Sequence, residues 1–168
     1  MPVPFLKIFG PKKEAINHHF VLIEAPESII GPEMITWGEA QWWPKGSRMR
    51  FKRLSALPIQ IGTEYQQKVM APVGGRHWRS RVTKLTPGHE IERTFMDGMF
   101  QGRESVTIEG RYNGTKVDYK MVFKVRGISN KIFWPLIFRR MHDANIRLIL
   151  AALKKYCELK NSQAEGTS

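Results

Sequence analysis

The chain has 168 residues and a formal net charge of +12 at pH 7, and this length suits one domain. Its single cysteine, Cys157, excludes an intramolecular disulfide framework and a metal site built from several cysteines. No stretch approaches the roughly 18 consecutive apolar residues of a membrane span. Pro2, Pro4 and Lys7 interrupt the short apolar run near the N-terminus, which therefore does not resemble a signal peptide. We expect a cytoplasmic protein that does not cross a membrane.

Composition also outlines the domain. We expect residues 1–160 to form a single domain, with 1–14 as an N-terminal arm, and the polar tail 161–168 to be disordered. The excess of Lys and Arg favours solubility and attracts polyanions or anionic lipid. It carries no information about the fold.

The first predicted elements are one strand and two short helices. The segment "AINHHFVLIEAP" (15–26) predicts a strand. The following stretch, 26–44, is interrupted by Gly31, Pro32 and Gly38 among others, which is too often for one long helix. We therefore predict two short helices there.

Six further strands follow, because apolar and polar residues then alternate with a period of two. The clearest run is 115–125, where Tyr119, Met121 and Phe123 share one face. Such alternation is typical of an antiparallel strand with one buried face. The six predicted strands lie within 48–53, 61–72, 77–85, 89–97, 102–112 and 115–125.

A long amphipathic helix is predicted at about 130–160. At 100° per residue its apolar stripe includes Trp134, Met141, Asn145 and Leu148. A second apolar line needs cover from the short helices, the N-terminal arm or another copy of the chain, so a homodimer stays open. That line consists of Ile146, Leu150, Leu153 and Cys157.

The order of these elements predicts an α+β fold. An antiparallel sheet of seven strands twists and curls on its own, and its apolar face can then wrap around the terminal helix. A sheet curled around a helix cannot close tightly everywhere. We therefore expect an enclosed apolar chamber between sheet and helix, which is the usual form of a small-molecule site.

This layout resembles the helix-grip fold of the START/Bet v 1-like superfamily, also called SRPBCC, which includes polyketide cyclase/dehydrase-like proteins. The resemblance covers about 15–158. It rests on the tryptophan cluster "WGEAQWW" (37–43), the segment "ALPIQIGTEYQQKV" (56–69), the hairpin 95–123 and the terminal helix. It implies a cavity for lipids, sterols, polyketides or aromatic metabolites in a carrier, sensor or cyclase. The superfamily has no invariant catalytic motif, so no catalytic residue follows, and no cofactor is expected.

Asn145 is the sharpest candidate for a ligand contact, because an amide on an apolar helix face has to be hydrogen-bonded. It either holds a ligand carbonyl or hydroxyl in the chamber or bonds a backbone group nearby. His142, at the edge of the same stripe, is either a ligand or acid–base group or a satisfied boundary histidine. Met141 and Leu148 flank Asn145 on the predicted chamber side.

Arg93 is the second candidate, because it falls between Ile91 and Phe95 on a face that should be apolar. It either forms an internal ion pair with Glu104 or binds a ligand carboxylate. Other side chains are ligand contacts or ordinary wall residues: Tyr65, Gln67, Tyr119, Met121, Phe123 and Trp42. Trp42 forms a cluster with Trp37 and Trp43 that either gates the chamber or fills it.

The motifs of common enzyme classes are absent, including HExxH, the P-loop, GxGxxG and G-x-S-x-G. Basic residues on the polar sides of the strands form a convex outer face, which is either simply solvated or binds an anionic membrane or another polyanion. Nucleic acid is not expected, because no aromatic residues are interleaved there. These basic residues are Arg48, Arg50, Lys52, Arg79, Arg81, Lys116, Lys120 and Lys124.

The leading hypothesis is binding of a mainly apolar small molecule between sheet and helix, with Asn145 and Arg93 orienting its polar end. The first alternative is a cyclase- or dehydrase-like enzyme that uses the same chamber. The second is a basic module that binds a polyanion, an anionic membrane or a protein. Whether the protein is an enzyme stays open, as does the identity of the ligand.

Overall fold

Seven strands and three α-helices make up the described part of the chain. The structure, a computed structural model, describes residues 14–56, 58–70 and 75–166, so the predicted N-terminal arm lies outside it apart from Glu14. The strands are β1 (Ala15–Ile23), β2 (Met49–Arg53), β3 (Glu64–Val69), β4 (Arg76–Thr86), β5 (Glu90–Phe95), β6 (Phe100–Arg111) and β7 (Gly114–Val125). The helices are α1 (Glu27–Ile35), α2 (Ile128–Phe133) and α3 (Arg139–Glu165), and a π-helical turn, Trp134–Phe138, joins α2 to α3.

The strands form one curled antiparallel sheet in the order β1-β7-β6-β5-β4-β3-β2. The alternation in sequence sets which face is buried: on β7 the side chains of Tyr119, Met121 and Phe123 are buried, whereas Lys120 between them is exposed. A register shift between Val82 and Lys84 interrupts the pairing of β4 with β5 and increases the local twist. The predicted helix-grip architecture, a seven-stranded sheet with a long C-terminal helix, is confirmed.

The chain between β1 and β2 contains one helix, α1, and not the predicted two. After α1 the chain forms consecutive turns. Gly38 has a φ of 95° there, and a Cβ atom on it would lie 2.4 Å from the Phe51 side chain. The turns bring Trp37, Trp42 and Trp43 together with ring centroids 5.5 to 6.0 Å apart. Packing of these large rings replaces the regular hydrogen bonding of a second helix.

The C-terminal helical region differs from the prediction in which face it buries. The buried residues of α3 are His142, Asn145, Ile146, Ile149, Leu150, Leu153 and Cys157. They include the whole second apolar line, because β1 and α1 pack against α3 and cover it. Of the predicted inner stripe, Trp134 and Asn145 are buried, whereas Leu148 is 42% exposed. Both lines are apolar, so the hydrophobic pattern alone could not select between them.

α3 also extends further than the sequence predicts. It continues to Glu165 and so includes 161–165, for which composition predicts disorder. The Asn161 side chain donates a hydrogen bond to Glu165 (3.0 Å), and the Lys160 ammonium donates one to Glu33 of α1 (3.0 Å). These contacts hold the last turns in a way that composition does not reveal. Within the described ranges, no helix has the length and apolar content needed to cross a membrane.

Candidate functional site

A cluster of buried polar side chains lies on the inner face of the sheet. Arg93 on β5 and Glu104 on β6 are opposite each other in the register, and their side chains are 0% and 2% exposed. The Arg93 Nη1 atom lies 3.6 Å from Glu104 Oε1. The structure therefore pairs these two charges inside the protein, which is one of the two interpretations that the sequence allows.

The guanidinium of Arg93 is closely surrounded. Its Nη2 donates to the backbone carbonyl of Trp37 (3.3 Å). Its central carbon lies 4.9 Å from the ring centroid of Tyr65 and 5.6 Å from that of Phe51, which adds cation–π attraction in a dry environment. Arg93 thus anchors the turns after α1 to the sheet, while its Nε and Nη1 atoms have no hydrogen-bond partner among the described residues.

Glu104 is the shared acceptor of this cluster. Gln67 Nε2 donates to Glu104 Oε1 (2.7 Å) and to Ser80 Oγ (2.9 Å). The Tyr119 hydroxyl donates to Glu104 Oε2 (3.2 Å). Both carboxylate oxygens therefore have protein donors, as a buried charge requires.

Tyr119 links this cluster to α3, because its hydroxyl oxygen lies 3.4 Å from His142 Nε2. The phenol gives its one proton to Glu104, so Nε2 of His142 carries the ring proton and Nδ1 has a free lone pair. Burial raises the pKa of Tyr119 well above its ordinary value, and the Glu104 carboxylate adds to this. Burial lowers the pKa of His142 to about 4, against the opposing effect of Asp143. Phenol and imidazole are therefore both uncharged at neutral pH.

A small cavity lies beside His142, between α3 and the inner face of β2, β3 and β4. Its volume is about 20 Å³, enough for about one water molecule. This space is much smaller than the chamber that the sequence predicts, because Trp37, Tyr65 and Tyr119 fill the middle of the junction and are fully buried. The apolar residues that line it are Met49, Val69, Trp78, Met99, Phe100, Trp134, Phe138 and Met141.

Two arginines also line this cavity. Arg48 is exposed and Arg76 is half-buried, so the cavity approaches solvent on their side. The guanidinium carbon of Arg76 lies 5.8 Å from the ring centroid of Phe138. The approach to an apolar cavity is therefore positively charged.

Asn145 bonds a nearby backbone group, which is one of the two roles that the sequence leaves open. Its Oδ1 accepts hydrogen bonds from the backbone N–H of Arg48 (2.7 Å) and from Ser47 Oγ (3.2 Å). A backbone N–H can only donate, so the atom that faces it is the amide oxygen. The amide nitrogen, Nδ2, is buried and has no partner among the described residues. The amide oxygen thus holds the start of β2, and the amide nitrogen bonds none of the described residues.

Three residues that line the cavity carry a buried side-chain nitrogen without a hydrogen-bond partner in the described ranges: Trp78 Nε1, His142 Nδ1 and Asn145 Nδ2. Buried polar groups are nearly always paired, and an unpaired one costs about 1–3 kcal/mol. Other unpaired buried atoms, such as Tyr65 OH and Trp37 Nε1, belong to residues that do not line this cavity. The residues that line the cavity therefore hold two donors and one acceptor that the described residues do not use.

The structure divides the predicted contacts into three groups. Met141, His142 and Asn145 line the cavity. Leu148 instead borders a shallow outer depression beside Arg140, because α3 turns that side outward. The other predicted contacts are buried but do not line the cavity: Tyr65, Arg93, Tyr119, Met121, Phe123 and Trp42.

Sequence reasoning missed Trp78 and Ser47. Trp78 is assigned to packing by its pattern, and only the fold brings its indole next to Asn145. Ser47 precedes β2 in a turn, and its hydrogen bond to Asn145 joins residues 98 positions apart. For Trp78, the available sequence signal was the alternation of Trp78, Ser80 and Val82 along β4, which places its side chain on the inner face of the sheet.

The convex outer face carries both signs of charge. Arg79 pairs with Asp97 (2.7 Å) and Arg81 with Glu64 (2.6 Å). The hydrogen bond from Arg79 keeps the pKa of Asp97 below its ordinary value, against the opposing effect of burial. These pairs favour the interpretation of this face as a solvated surface.

Comparison with known proteins finds the fold but no sequence family. No protein-family model matches the chain, and no curated protein matches it. The Zhui aromatase/cyclase from Streptomyces sp. R1128 has a TM-score of 0.61 at 14% identity, covering 86% of this chain and 94% of its own. Norcoclaurine synthase from Thalictrum flavum has a TM-score of 0.64 at 13% identity, covering 92% and 97%. Ara h 8.0201 has a TM-score of 0.58 at 10% identity, covering 86% and 97%.

The chain has the helix-grip fold of the START/Bet v 1-like superfamily. The resemblance that the sequence predicts is thereby confirmed. At these identities the likeness concerns the fold alone, and it transfers no substrate and no catalytic residue. Function has to be argued from the cavity and its polar atoms.

Proposed function

We propose that this helix-grip protein binds a mainly apolar small molecule, such as a lipid, a polyketide or an aromatic metabolite, between the sheet and α3. The observation that carries the proposal is the set of three unpartnered nitrogens on residues of one apolar cavity: Trp78, His142 and Asn145. An oxygen of the ligand would accept from the indole and the amide, and a hydroxyl would donate to the imidazole. The fold supports the proposal, since neighbours include an aromatase/cyclase and a synthase in complex with a transition-state analogue.

A ligand of this class needs more room than about 20 Å³. Met141 is half-buried and Arg48 is exposed, and both are long, unbranched side chains that change rotamer at low cost. Their movement would widen the cavity on the side that approaches solvent. The buried Arg93 and Glu104 pair would stay unchanged, because neither residue lines the cavity.

Native mass spectrometry of the purified protein, followed by solvent extraction, tests this proposal. We expect an apolar compound with an oxygen function to co-purify. The same compound at about 100 times its Kd should stabilise the fold by about 2.7 kcal/mol, which corresponds to a rise in Tm of roughly 5–10 °C for a chain of this length. If nothing co-purifies and no apolar compound raises Tm, the proposal is wrong.

A variant of Asn145 tests the polar end of the site. Asn145→Leu should still bind apolar compounds but lose its preference for those with a carbonyl or hydroxyl, because the amide donor is gone. Leu148→Ser is the matched control, since it changes an exposed residue of the same helix. An unchanged order of affinities across the panel in Asn145→Leu would remove Asn145 from the site.

A second candidate function, cyclase- or dehydrase-like catalysis, is favoured by the contact between Tyr119 and His142. The imidazole lines the cavity, its pKa of about 4 keeps it neutral at pH 7, and its Nδ1 can accept a proton. The phenol of Tyr119 lies behind it at 3.4 Å. This pair could take a proton from an acidic carbon between two carbonyls, which is the first step of an aldol ring closure.

A short poly-β-ketone, followed by ultraviolet absorbance and mass spectrometry, separates the two functions. If the protein is a catalyst, ring closure should be faster with the wild-type protein than in buffer. The His142→Gln variant should then still bind the compound but no longer accelerate ring closure. Binding without acceleration by the wild-type protein would retain the carrier function and eliminate the enzymatic one.

A further inference from the structure

Large apolar side chains are exposed on the segment that joins the sheet to α3. We call this surface the apolar patch, and it consists of Ile128, Ile132, Phe133, Leu136 and Ile137, with exposed fractions between 41% and 80%. The outer side of a helix that packs on a sheet normally carries polar residues. Contiguous exposed apolar residues instead mark a surface that contacts another molecule.

The sequence explains why the patch faces outward. Trp134 and Phe138, four residues apart, are both buried and face the cavity. Positions with the same spacing lie above one another on a helix, so Ile128, Ile132 and Leu136 follow one line on another side. All three residues on that line are apolar. When Trp134 and Phe138 are buried, an apolar side of the segment therefore faces solvent.

Positive charge surrounds the patch. Arg126, Lys131, Arg139 and Arg140 are exposed at its ends and within it. The sequence contains no Asp or Glu between Asp118 and Asp143. The segment therefore has one sign of charge, unlike the convex face of the sheet, where arginines pair with carboxylates.

We propose that the apolar patch docks on an anionic lipid bilayer. Apolar side chains that enter the interface, together with cations that meet anionic headgroups, are the two features of a helix that lies on a membrane surface. α2 and the π-helical turn, Ile128–Phe138, are too short to span the hydrocarbon core, so the segment lies in the interface.

The patch and the cavity share one structural element. Trp134 and Phe138 line the cavity, while Leu136 and Ile137 between them face outward. A bilayer bound at the patch therefore lies beside the cavity. The docking inference does not depend on the proposed ligand, because it rests on exposed side chains and charge alone.

Sedimentation of the full chain with lipid vesicles tests the proposal. One set contains phosphatidylcholine only, and the other contains about one third phosphatidylglycerol, which gives an anionic surface. We expect binding to the anionic vesicles that weakens as salt rises. Arg139→Gln with Arg140→Gln should weaken it about 30-fold, and Leu136→Ser with Ile137→Ser about tenfold or more.

Matched variants elsewhere on the surface serve as controls. Ile16→Ser with Ile61→Ser removes apolar side chains that are 58% and 64% exposed, and Lys52→Gln with Lys68→Gln removes two exposed cations of the outer sheet face. Both double variants should bind vesicles like the wild type. Circular dichroism and Tm confirm that each variant is folded, and only folded variants are compared.

Three results would overturn the proposal. The first is no binding to anionic vesicles, or equal binding to neutral ones. The second is loss of binding in the Lys52 and Lys68 variant but not in the Arg139 and Arg140 variant, which would place the contact on the sheet. The third is a dimer in light scattering that Leu136→Ser with Ile137→Ser dissociates, which would make the patch a contact between two copies of the chain.

Discussion

Two regions of the same inner sheet face show how differently one fold can treat polar residues. In the first, which we call the closed region, Arg93 and Glu104 are buried, paired with each other and bonded to Trp37 after α1, Gln67 on β3 and Tyr119 on β7. In the second, the cavity region, Trp78, His142 and Asn145 line an apolar space, and one side-chain nitrogen of each has no partner among the described residues. An inward polar residue is therefore not in itself evidence of a binding site. Unpaired atoms occur in the closed region too, at Arg93 Nε and Gln67 Oε1, so the adjoining space is what distinguishes the cavity region.

Removing a charge from the closed region should destabilise the protein most. Glu104→Leu leaves the buried guanidinium of Arg93 uncompensated, so we expect a loss of about 3–5 kcal/mol in urea unfolding. Glu109→Leu, on the same strand, removes the exposed partner of Arg111 and should cost less than about 1 kcal/mol. Equal losses in the two variants would contradict the structural role of the closed region.

The cavity region should make stability depend on pH through His142. Its pKa is about 4 in the fold and 6.5 ordinarily, so between these values the unfolded chain binds a proton that the folded chain does not. Stability therefore falls as pH decreases from 6.5 to about 4, by roughly 3 kcal/mol in total. Urea unfolding across this range measures it.

The control for this pH dependence is His142→Gln, which cannot titrate. The pKa values of Asp143 and Asp97 are also lowered. Protonation of these carboxylates on acidification therefore reduces the stability of both proteins. The difference between wild type and variant isolates the imidazole. Identical slopes between pH 6.5 and 4 would show that His142 is not buried as described.

Asn145 should have an intermediate effect, because it belongs to both the protein's own hydrogen bonding and the cavity. Asn145→Leu leaves the Arg48 N–H without its acceptor, which should cost about 1–3 kcal/mol, whereas the Ser47 hydroxyl can still donate to the Met49 carbonyl. Asn145→Asp keeps an oxygen toward both donors and should cost less in urea unfolding at pH 7. If the aspartate variant is the less stable of the two, the accepted bonds are not what holds the start of β2.

Substitution of Leu148 should have the smallest effect on stability. It is 42% exposed, and substitutions at such surface positions usually change stability by less than about 0.5 kcal/mol. We expect Leu148→Ser to match the wild type in urea unfolding and in ligand affinity. A loss above about 2 kcal/mol would mean that α3 presents the face that its hydrophobic pattern first indicates.

The alternation along β7 and the length of the terminal helix were sufficient to predict the architecture. They failed between β1 and β2, where contacts of Trp37 with Tyr119 and Arg93, far along the chain, compete with local helix formation. They also failed for the orientation of α3, since two apolar lines satisfy the same periodicity. The candidate site was predicted at Met141, His142 and Asn145, and it was missed at Trp78, whose indole resembles any other core aromatic in sequence.

Periodicity of two and of 3.6 residues, read along the chain, determined the strands, their inner face and the long helix, because these depend on side chains that are close in sequence. Only the tertiary structure decided that Arg93 is paired, that half of Asn145 is used by the backbone of Arg48, and that the space beside it is small. These properties depend on atoms brought together from distant positions. Hydrogen bonding and close packing act over a few ångströms, and linear spacing does not encode them.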